Sequence, residues 1–367
     1  MPPAPGPMTL ESFRDELVST ACSIAAQGKG LLAADESNGT IGKRFAAVGV
    51  DNSEETRRAY RSLLASTPAL NEAISGVILF EETLFQDSVD ADGRPGPPII
   101  ELFQDQGIVP GIKVDQGVEP LAGGLPGESW CTGLKGLQER AARYYERGAR
   151  FAKWRAVLKI SAEGSPSELC VRENAWGLAR YARTVQEEGL VPIVEPEILM
   201  DGNHDIETTA AVQEWVLRMV YQALSHNGVF LEGSLLKPSM TLPGKDCPNT
   251  PSPDQVAEFS LRTLERTVPV SVPAILFLSG GLSEEEASVY LNGINRAISP
   301  APWHLGFSYG RALQQSCLKH WAGHDVHGGQ QALLARARAN GQAAQGFYVA
   351  GSEPSDGAPL YEANYSY

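Results

Sequence analysis

The chain has 367 residues, 43% of them hydrophobic and 20% charged, a globular composition with enough chain to bury a large core without staples. Thirty Lys and Arg against 44 Asp and Glu leave a formal charge of −14, which argues against general nucleic-acid or anionic-membrane partners. Five scattered cysteines without a C-x-x-C argue against a disulfide framework or structural zinc and fit a reducing compartment. The opening MPPAPGPM has neither a signal-peptide nor a transit-peptide pattern and reads as a short disordered leader on a soluble intracellular protein. The apolar runs, such as 75–80 and 272–278, are far too short to span a membrane.

In chain order, eight short apolar runs read as strands: 30–35 (GLLAAD), 76–81 (GVILFE), 109–115 (VPGIKVD), 149–155 (ARFAKWR), 190–195 (LVPIVE), 229–237 (VFLEGSLLK), 274–279 (AILFLS) and 304–308 (HLGFS). They are apolar throughout rather than alternately, as parallel strands covered on both faces are. Segments with helical periodicity lie between them, at 134–146, 173–187, 205–224, 253–266, 283–298 and 311–321. Ser283 with Glu286 has capping-box spacing. This alternation predicts an α/β fold, a single (β/α)8 TIM barrel, over a doubly wound sheet: no G-x-G-x-x-G follows the first strand, and chemistry-bearing residues sit at many strand ends rather than at one switch point. We expect a leader at 1–9, one barrel domain at 10–339 that starts with a helical extension, and a flexible Gly-, Ala- and Ser-rich tail at 340–367.

The strand ends carry Asp35, Glu81, Lys113, Lys153 with Arg155, Glu195, Lys237, Ser279 and Ser308. In a barrel these ends ring one mouth, where active sites lie. A lone lysine says little, but three that interrupt or end apolar strands need partners or a purpose. A partly desolvated amine near other cations becomes a nucleophile toward carbonyls, and a neighbouring carboxylate can shuttle its protons. That combination points to imine chemistry and requires no metal motif. Ser279-Gly280-Gly281 and Ser308-Tyr309-Gly310-Arg311 follow strands seven and eight. Glycine-flanked N–H groups, hydroxyls, a helix N-terminus and a guanidinium suit a phosphate. Lys43-Arg44 and Arg155 could serve a second anion, or form ordinary solvated basic pairs. His204 and His304 are expected to be structural, as are Trp154 and the cysteines. The segment 90–98 (DADGRPGPP) reads as an elaborated loop.

Seven motifs in order resemble the class I fructose-1,6-bisphosphate aldolase family, over about 13–367: LAADES (32–37), PGIKVD (110–115), ARFAKWR (149–155), VPIVEPEI (191–198), LEGSLLKP (231–238), FLSGG (277–281) and FSYGRAL (307–313). The resemblance implies reversible cleavage of fructose 1,6-bisphosphate to dihydroxyacetone phosphate and glyceraldehyde 3-phosphate, in glycolysis and gluconeogenesis. It implies Lys237 as the Schiff-base lysine, with no other cofactor. Glu195 would be the acid and base tuned by Lys153 and Glu197, Asp35 the base for the C4 hydroxyl, and Tyr367 a proton donor to the enamine. Ser279, Gly280, Gly281, Ser308, Gly310 and Arg311 would hold the C1 phosphate, and Ser37, Arg44, Lys113 and Arg155 the distal phosphate and sugar chain. It further implies a homotetramer, association with the cytoskeleton, and a cytoplasmic location with the plastid stroma as the alternative. Three positions depart from the family pattern: Ser234 for Thr, Leu282 for Gln and Gln116 for Lys. They bear on affinity rather than on the chemistry. The rival readings are the same chemistry on fructose 1-phosphate or sedoheptulose 1,7-bisphosphate, and a non-catalytic scaffold barrel. The latter would have lost one of Asp35, Lys153, Glu195 and Lys237, and none is lost.

Overall fold

A computed structural model describes residues 9–164, 166–298 and 300–363. The strands are β1 (Gly30–Ala34), β2 (Ile74–Leu79), β3 (Asp87–Val89), β4 (Pro95–Pro98), β5 (Val109–Lys113), β6 (Val118–Pro120), β7 (Ser129–Cys131), β8 (Phe151–Leu158), β9 (Val191–Ile198), β10 (Leu235–Leu236), β11 (Ala274–Phe277) and β12 (His304–Tyr309). Eight of them close a parallel barrel in the order β1-β12-β11-β10-β9-β8-β5-β2; β3–β4 and β6–β7 are separate two-stranded sheets. The expected (β/α)8 barrel is the fold. The segment 90–98 is the turn and second strand of the β3–β4 hairpin, with Asp90 Oδ1 accepting from the Asp92 and Arg94 amides at 2.9 and 2.8 Å.

The helices are α1 (Leu10–Ile24), α2 (Asn38–Ala46), α3 (Glu54–Ala65), α4 (Glu81–Phe85), α5 (Ile99–Asp105), α6 (Leu137–Glu146), α7 (Glu168–Glu187), α8 (Ile206–His226), α9 (Pro253–Glu265), α10 (Glu284–Ala297), α11 (Arg311–Trp321) and α12 (Val326–Ala343). The capping box at the start of α10 forms as its spacing requires: Glu286 N donates to Ser283 Oγ at 3.2 Å and Ser283 N to Glu286 Oε2 at 2.8 Å. No helix among the described residues is long and apolar enough to cross a membrane.

Strand alternation sorts the core into two layers. In β8, Ala152, Trp154 and Ala156 face outward into the cluster shared with the helices. Phe151 faces inward with Leu31, Ile78, Val191, Ile193, Leu235 and Leu276. Leu10, Phe13, Leu17, Ala21 and Ile24 of α1 join this inner cluster, so the helical extension packs onto the barrel's apolar interior. Gly111 in β5 leaves room for the Phe151 ring, which would lie 2.2 Å from a Cβ there.

The sequence reading does not include α2 to α5 or the strands of the two small sheets, and two further elements differ from it. Only Leu235–Leu236 of the run 229–237 is strand. Leu231–Gly233 forms a 3-10 turn, held where Gln186 Nε2 donates to the Phe230 and Gly233 carbonyls at 2.7 and 2.9 Å. The second difference is α12, whose weak apolar periodicity concealed it. It runs to Ala343, with Asn340 buried and accepting from Ser288 Oγ at 2.9 Å.

Candidate active site

Register places the charged residues. Lys113 in β5 pairs with Lys153 in β8, and Arg155 in β8 pairs with Glu195 in β9. Leu236 pairs with Val194, and the next amide, Lys237 N, donates to Val194 O at 2.8 Å. Lys237 therefore stands beside Glu195. Two residues along from the apolar layer, the inward positions of β8 and β9 change from Phe151 and Ile193 to Lys153 and Glu195.

The result is an alternating line of charges. Lys153 Nζ lies 2.8 Å from Asp35 Oδ2 and 3.4 Å from Glu195 Oε2, and Lys237 Nζ lies 3.2 Å from Glu195 Oε1. All four side chains are buried, Lys153 completely. Two carboxylates and two ammoniums offset one another, which is what burial of such groups requires. Burial pushes the Asp35 carboxyl up, but the charges of Lys153 and Lys237 outweigh it and hold it at about 2. Asp35 is therefore ionised at any ordinary pH. A lysine amine next to a carboxylate that already contacts its proton has the elements needed for carbonyl addition.

The other lysine and arginine at these strand ends are paired separately. Lys113 Nζ lies 2.7 Å from Asp115 Oδ1 and donates to the Asp115 carbonyl at 2.9 Å. Arg155 Nε donates to Glu197 Oε2 at 2.5 Å, so Glu197 pairs with Arg155. Glu81 does not reach the mouth: it opens α4 and forms an exposed ion pair with Arg143. That removes one of the three carboxylates expected to converge there, because β2 ends two residues before it.

One pocket opens against this line. Its wall is made by Asp35, Glu36, Arg44, Glu195, Glu197 and Lys237, together with Ser279, Gly280, Ser308, Gly310 and Arg311. The two glycine-serine motifs thus meet beside the lysine. Gly280 has φ +49° and Gly281 +92°, conformations that turn the chain sharply after β11. Gly281 packs against the backbone of Tyr361. Ser308 Oγ is buried and makes no hydrogen bond among the described residues. Gly310 caps α11, whose first residue is Arg311, so the unpaired amides of a helix N-terminus add to the site.

Ser37, Lys113 and Arg155 are absent from the wall of that pocket. Ser37 caps α2, its Oγ accepting from Thr40 N at 3.3 Å. Tyr367 lies outside the described residues. The tail as far as Glu362 does reach the mouth: Arg311 donates to the Leu360 carbonyl, and Tyr361 OH donates to Asp201 Oδ1 at 3.0 Å. His304 Nε2 donates to the Lys29 carbonyl at 3.1 Å, where β12 begins and far from the strand ends that carry the site. His204, in the loop after β9, is half-buried, and burial pushes its imidazole pKa down.

Sequence reasoning missed four groups: Asp115, Glu36, Gln314 and Asp201. The first two lie inside motifs already singled out, and the need of a buried lysine or arginine for a carboxylate could have found them.

Residues 16–367 of the chain match the model of the class-I fructose-bisphosphate aldolase family. The chain belongs to that family. It is 54% identical to cytosolic fructose-bisphosphate aldolase 4 of Arabidopsis thaliana, covering 96% of this chain and 89% of that one. It is 50% identical to a chloroplastic fructose-bisphosphate aldolase of Oryza sativa, covering 99% and 94%. Among solved structures, fructose-bisphosphate aldolase of Plasmodium falciparum, crystallised with TRAP and a small-molecule inhibitor, superposes with a TM-score of 0.88 at 50% identity, covering 92% of this chain and 96% of the other. Class-I aldolases are metal-independent, and relatives of this one include both cytosolic and chloroplastic enzymes.

Proposed function

We propose that this aldolase cleaves fructose 1,6-bisphosphate to dihydroxyacetone phosphate and glyceraldehyde 3-phosphate through an imine on Lys237. The observation that carries the mechanism is the contact of one carboxylate, Glu195, with both Lys237 and Lys153. The Lys237 amine adds to the C2 ketone, and Glu195 carries the protons that let water leave C2. The resulting protonated imine draws electrons from the C3–C4 bond. Asp35 accepts the C4 hydroxyl proton as that bond breaks and glyceraldehyde 3-phosphate departs. The electron pair left at C3 is delocalised into an enamine, which is why a lysine can take the place of a metal ion. Protonation at C3, assigned by family resemblance to Tyr367, and hydrolysis of the imine release dihydroxyacetone phosphate.

Lys153 neutralises both carboxylates and keeps them apart. Ser279, Gly280, Ser308, Gly310 and Arg311 hold the C1 phosphate; Ser37, Lys113 and Arg155 serve the distal end. Gly281 shapes the turn behind the phosphate. Glu197 orients Arg155, with which it pairs. A homotetramer and a cytosolic location complete the reading, supported by family resemblance and by the cytosolic relatives.

The test is a cleavage assay in EDTA. Native enzyme turns over fructose 1,6-bisphosphate with higher kcat/KM than fructose 1-phosphate, and Lys237→Met folds but does not. Near-normal turnover by that variant overturns the reading.

A further inference from the structure

The tail crosses from α12 to the mouth as a strap, and the groups that hold it midway take no part in the imine chemistry. Just beyond α12, Tyr348 N donates to Asn292 Oδ1 at 2.9 Å, Tyr348 OH to Glu285 Oε2 at 2.7 Å and Gly351 N to Glu285 Oε1 at 2.9 Å. At the mouth, Arg311 donates to the Leu360 carbonyl and Tyr361 OH to Asp201 Oδ1. Between these two stations the strap meets a buried carboxylate. Glu284, the first residue of α10, is fully buried, and its Oε2 accepts from Asp356 N at 2.7 Å. The same carboxylate ties the strap to α11: Ser316 N donates to Oε1 at 2.9 Å and Ser316 Oγ to Oε2 at 2.5 Å.

Helix α12 closes this node from the other side. Arg336, also fully buried, donates Nη2 to the Glu284 carbonyl at 2.7 Å and to Ser288 Oγ at 2.6 Å, and Nη1 to the Pro354 carbonyl of the strap at 3.4 Å. Lys319 Nζ of α11 lies 2.5 Å from Asp356 Oδ2. Three helices thus grip the strap at Pro354 and Asp356. Packing of α10 on α11 does not call for a carboxylate, because burying a charge is costly and an apolar pair would serve. What the carboxylate adds is two acceptor oxygens, which here face donors, one of them the strap amide. An amide in its place would set an NH2 group against one of those donors.

We propose that Glu284 is a positioning residue for protonation of the enamine at C3: by holding Asp356 it fixes where the strap enters the mouth, and so delivers the end of the chain to the substrate. Glu284 is absent from the wall of the pocket beside Lys237 and acts only through the strap. An anchor at Asp356 shortens the chain between the last held residue and its end, which raises the effective concentration of that end at the mouth. The proposal deepens the imine reading and rests on its assignment of the C3 proton to Tyr367.

With dihydroxyacetone phosphate in D2O, the enzyme exchanges the C3 hydrogen that leaves and returns at the enamine. NMR reads that rate, borohydride reduction reads imine formation on Lys237, and amide exchange reads the strap. Glu284→Gln slows C3 exchange about three- to tenfold, keeps the yield of reduced Lys237 adduct within about twofold of native, and speeds amide exchange over 349–361. In a chain lacking Tyr367 it slows C3 exchange no further. Ser316→Ala shifts the same readouts by less, and decides the matter if Glu284→Gln does not fold. C3 exchange within about twofold of native overturns the proposal, as does unchanged amide exchange over the strap. So does a parallel fall of C3 exchange and adduct yield, the mark of a merely structural residue. Where removal of Tyr367 slows the native enzyme, an equal further slowing by Glu284→Gln in the shortened chain also overturns it. If removal of Tyr367 changes nothing, the Tyr367 reading fails; slowed C3 exchange in Glu284→Gln then still supports positioning through the rest of the strap, and unchanged exchange ends it. If native enzyme forms no adduct, the imine reading fails and amide exchange alone judges the hold on the strap.

Discussion

The two ends of this barrel are built from the same strands and differ in almost every physical respect. Toward the N-terminal ends, inward side chains are Leu31, Ile78, Phe151, Ile193, Leu235 and Leu276, packed with the apolar face of α1. Toward the C-terminal ends, the inward positions become Asp35, Lys153, Glu195 and Lys237, joined by contacts of 2.8 to 3.4 Å. One step of the two-residue pleat on β8, β9 and at the end of β10, and two at the end of β1 through Ala33, separates a layer that stabilises the fold from the layer to which we assign the chemistry. Changes in one should leave the other largely intact, and this independence can be tested.

The largest effect is expected from Lys237→Met. It removes the proposed nucleophile but leaves Glu195 paired with Lys153, so kcat falls at least ~10³-fold while circular dichroism and Tm stay close to native. Collapse of the fold along with activity would show that the two layers are coupled. Asp35→Asn is expected to lower kcat by ~10²–10⁴-fold, the usual size of a general-base contribution.

Asp35→Asn also sharpens the comparison through pH. The folded-state carboxyl is held at about 2, below its unfolded value near 3.8, so the unfolded state binds the proton first. Its contribution, on the order of 2 kcal/mol, is present above pH ~4 and lost as pH falls from there toward 2. Urea unfolding between pH 5 and 2 should show a shallower acid loss in Asp35→Asn than in the native chain; an identical slope contradicts the pairing.

In the apolar layer the sign reverses. Phe151→Ala opens a cavity beneath Gly111 and is expected to cost ~3–5 kcal/mol, read by denaturant unfolding, with kcat of the surviving folded fraction within a few-fold of native. Ser308→Ala is a subtler probe of the upper end. Its hydroxyl is buried and makes no hydrogen bond among the described residues, so its loss should leave Tm unchanged or slightly raised and raise KM by ~3–10-fold. A drop in Tm with unchanged KM would assign it to the fold. The smallest effect is expected at Glu81, in an exposed pair with Arg143, where Ala substitution should change stability by less than ~0.5 kcal/mol.

Why the sequence disclosed so much follows from the same layering. A lysine within or ending an apolar strand is conspicuous, and Lys113, Lys153 and Lys237 all lie on barrel strands or at their ends. Ser279-Gly280 and Ser308–Arg311 were legible because glycines next to hydroxyls stand out, although only the parallel pairing of β11 with β12 brings their loops to one pocket. What was not legible depends on placement across the chain. Gln314 looks like any polar helix residue until α11 packs against the end of β1. Asp201 gains its meaning from Tyr361, more than 150 residues away in the tail. Glu81 shows the opposite error: its place after an apolar run suggested the mouth, but a turn into α4 carries it to the surface. The run 229–237 misled because apolar residues that pack beside a 3-10 turn carry no periodicity to distinguish them from strand.

The most direct measurement is to incubate the native chain with dihydroxyacetone phosphate in EDTA, reduce with borohydride, and read the intact and peptide masses. One reduced adduct on the peptide containing Lys237, absent in Lys237→Met, is the expected result. A folded protein that forms no adduct, or forms it on Lys113 or Lys153, would contradict the assignment of Lys237 as the nucleophile.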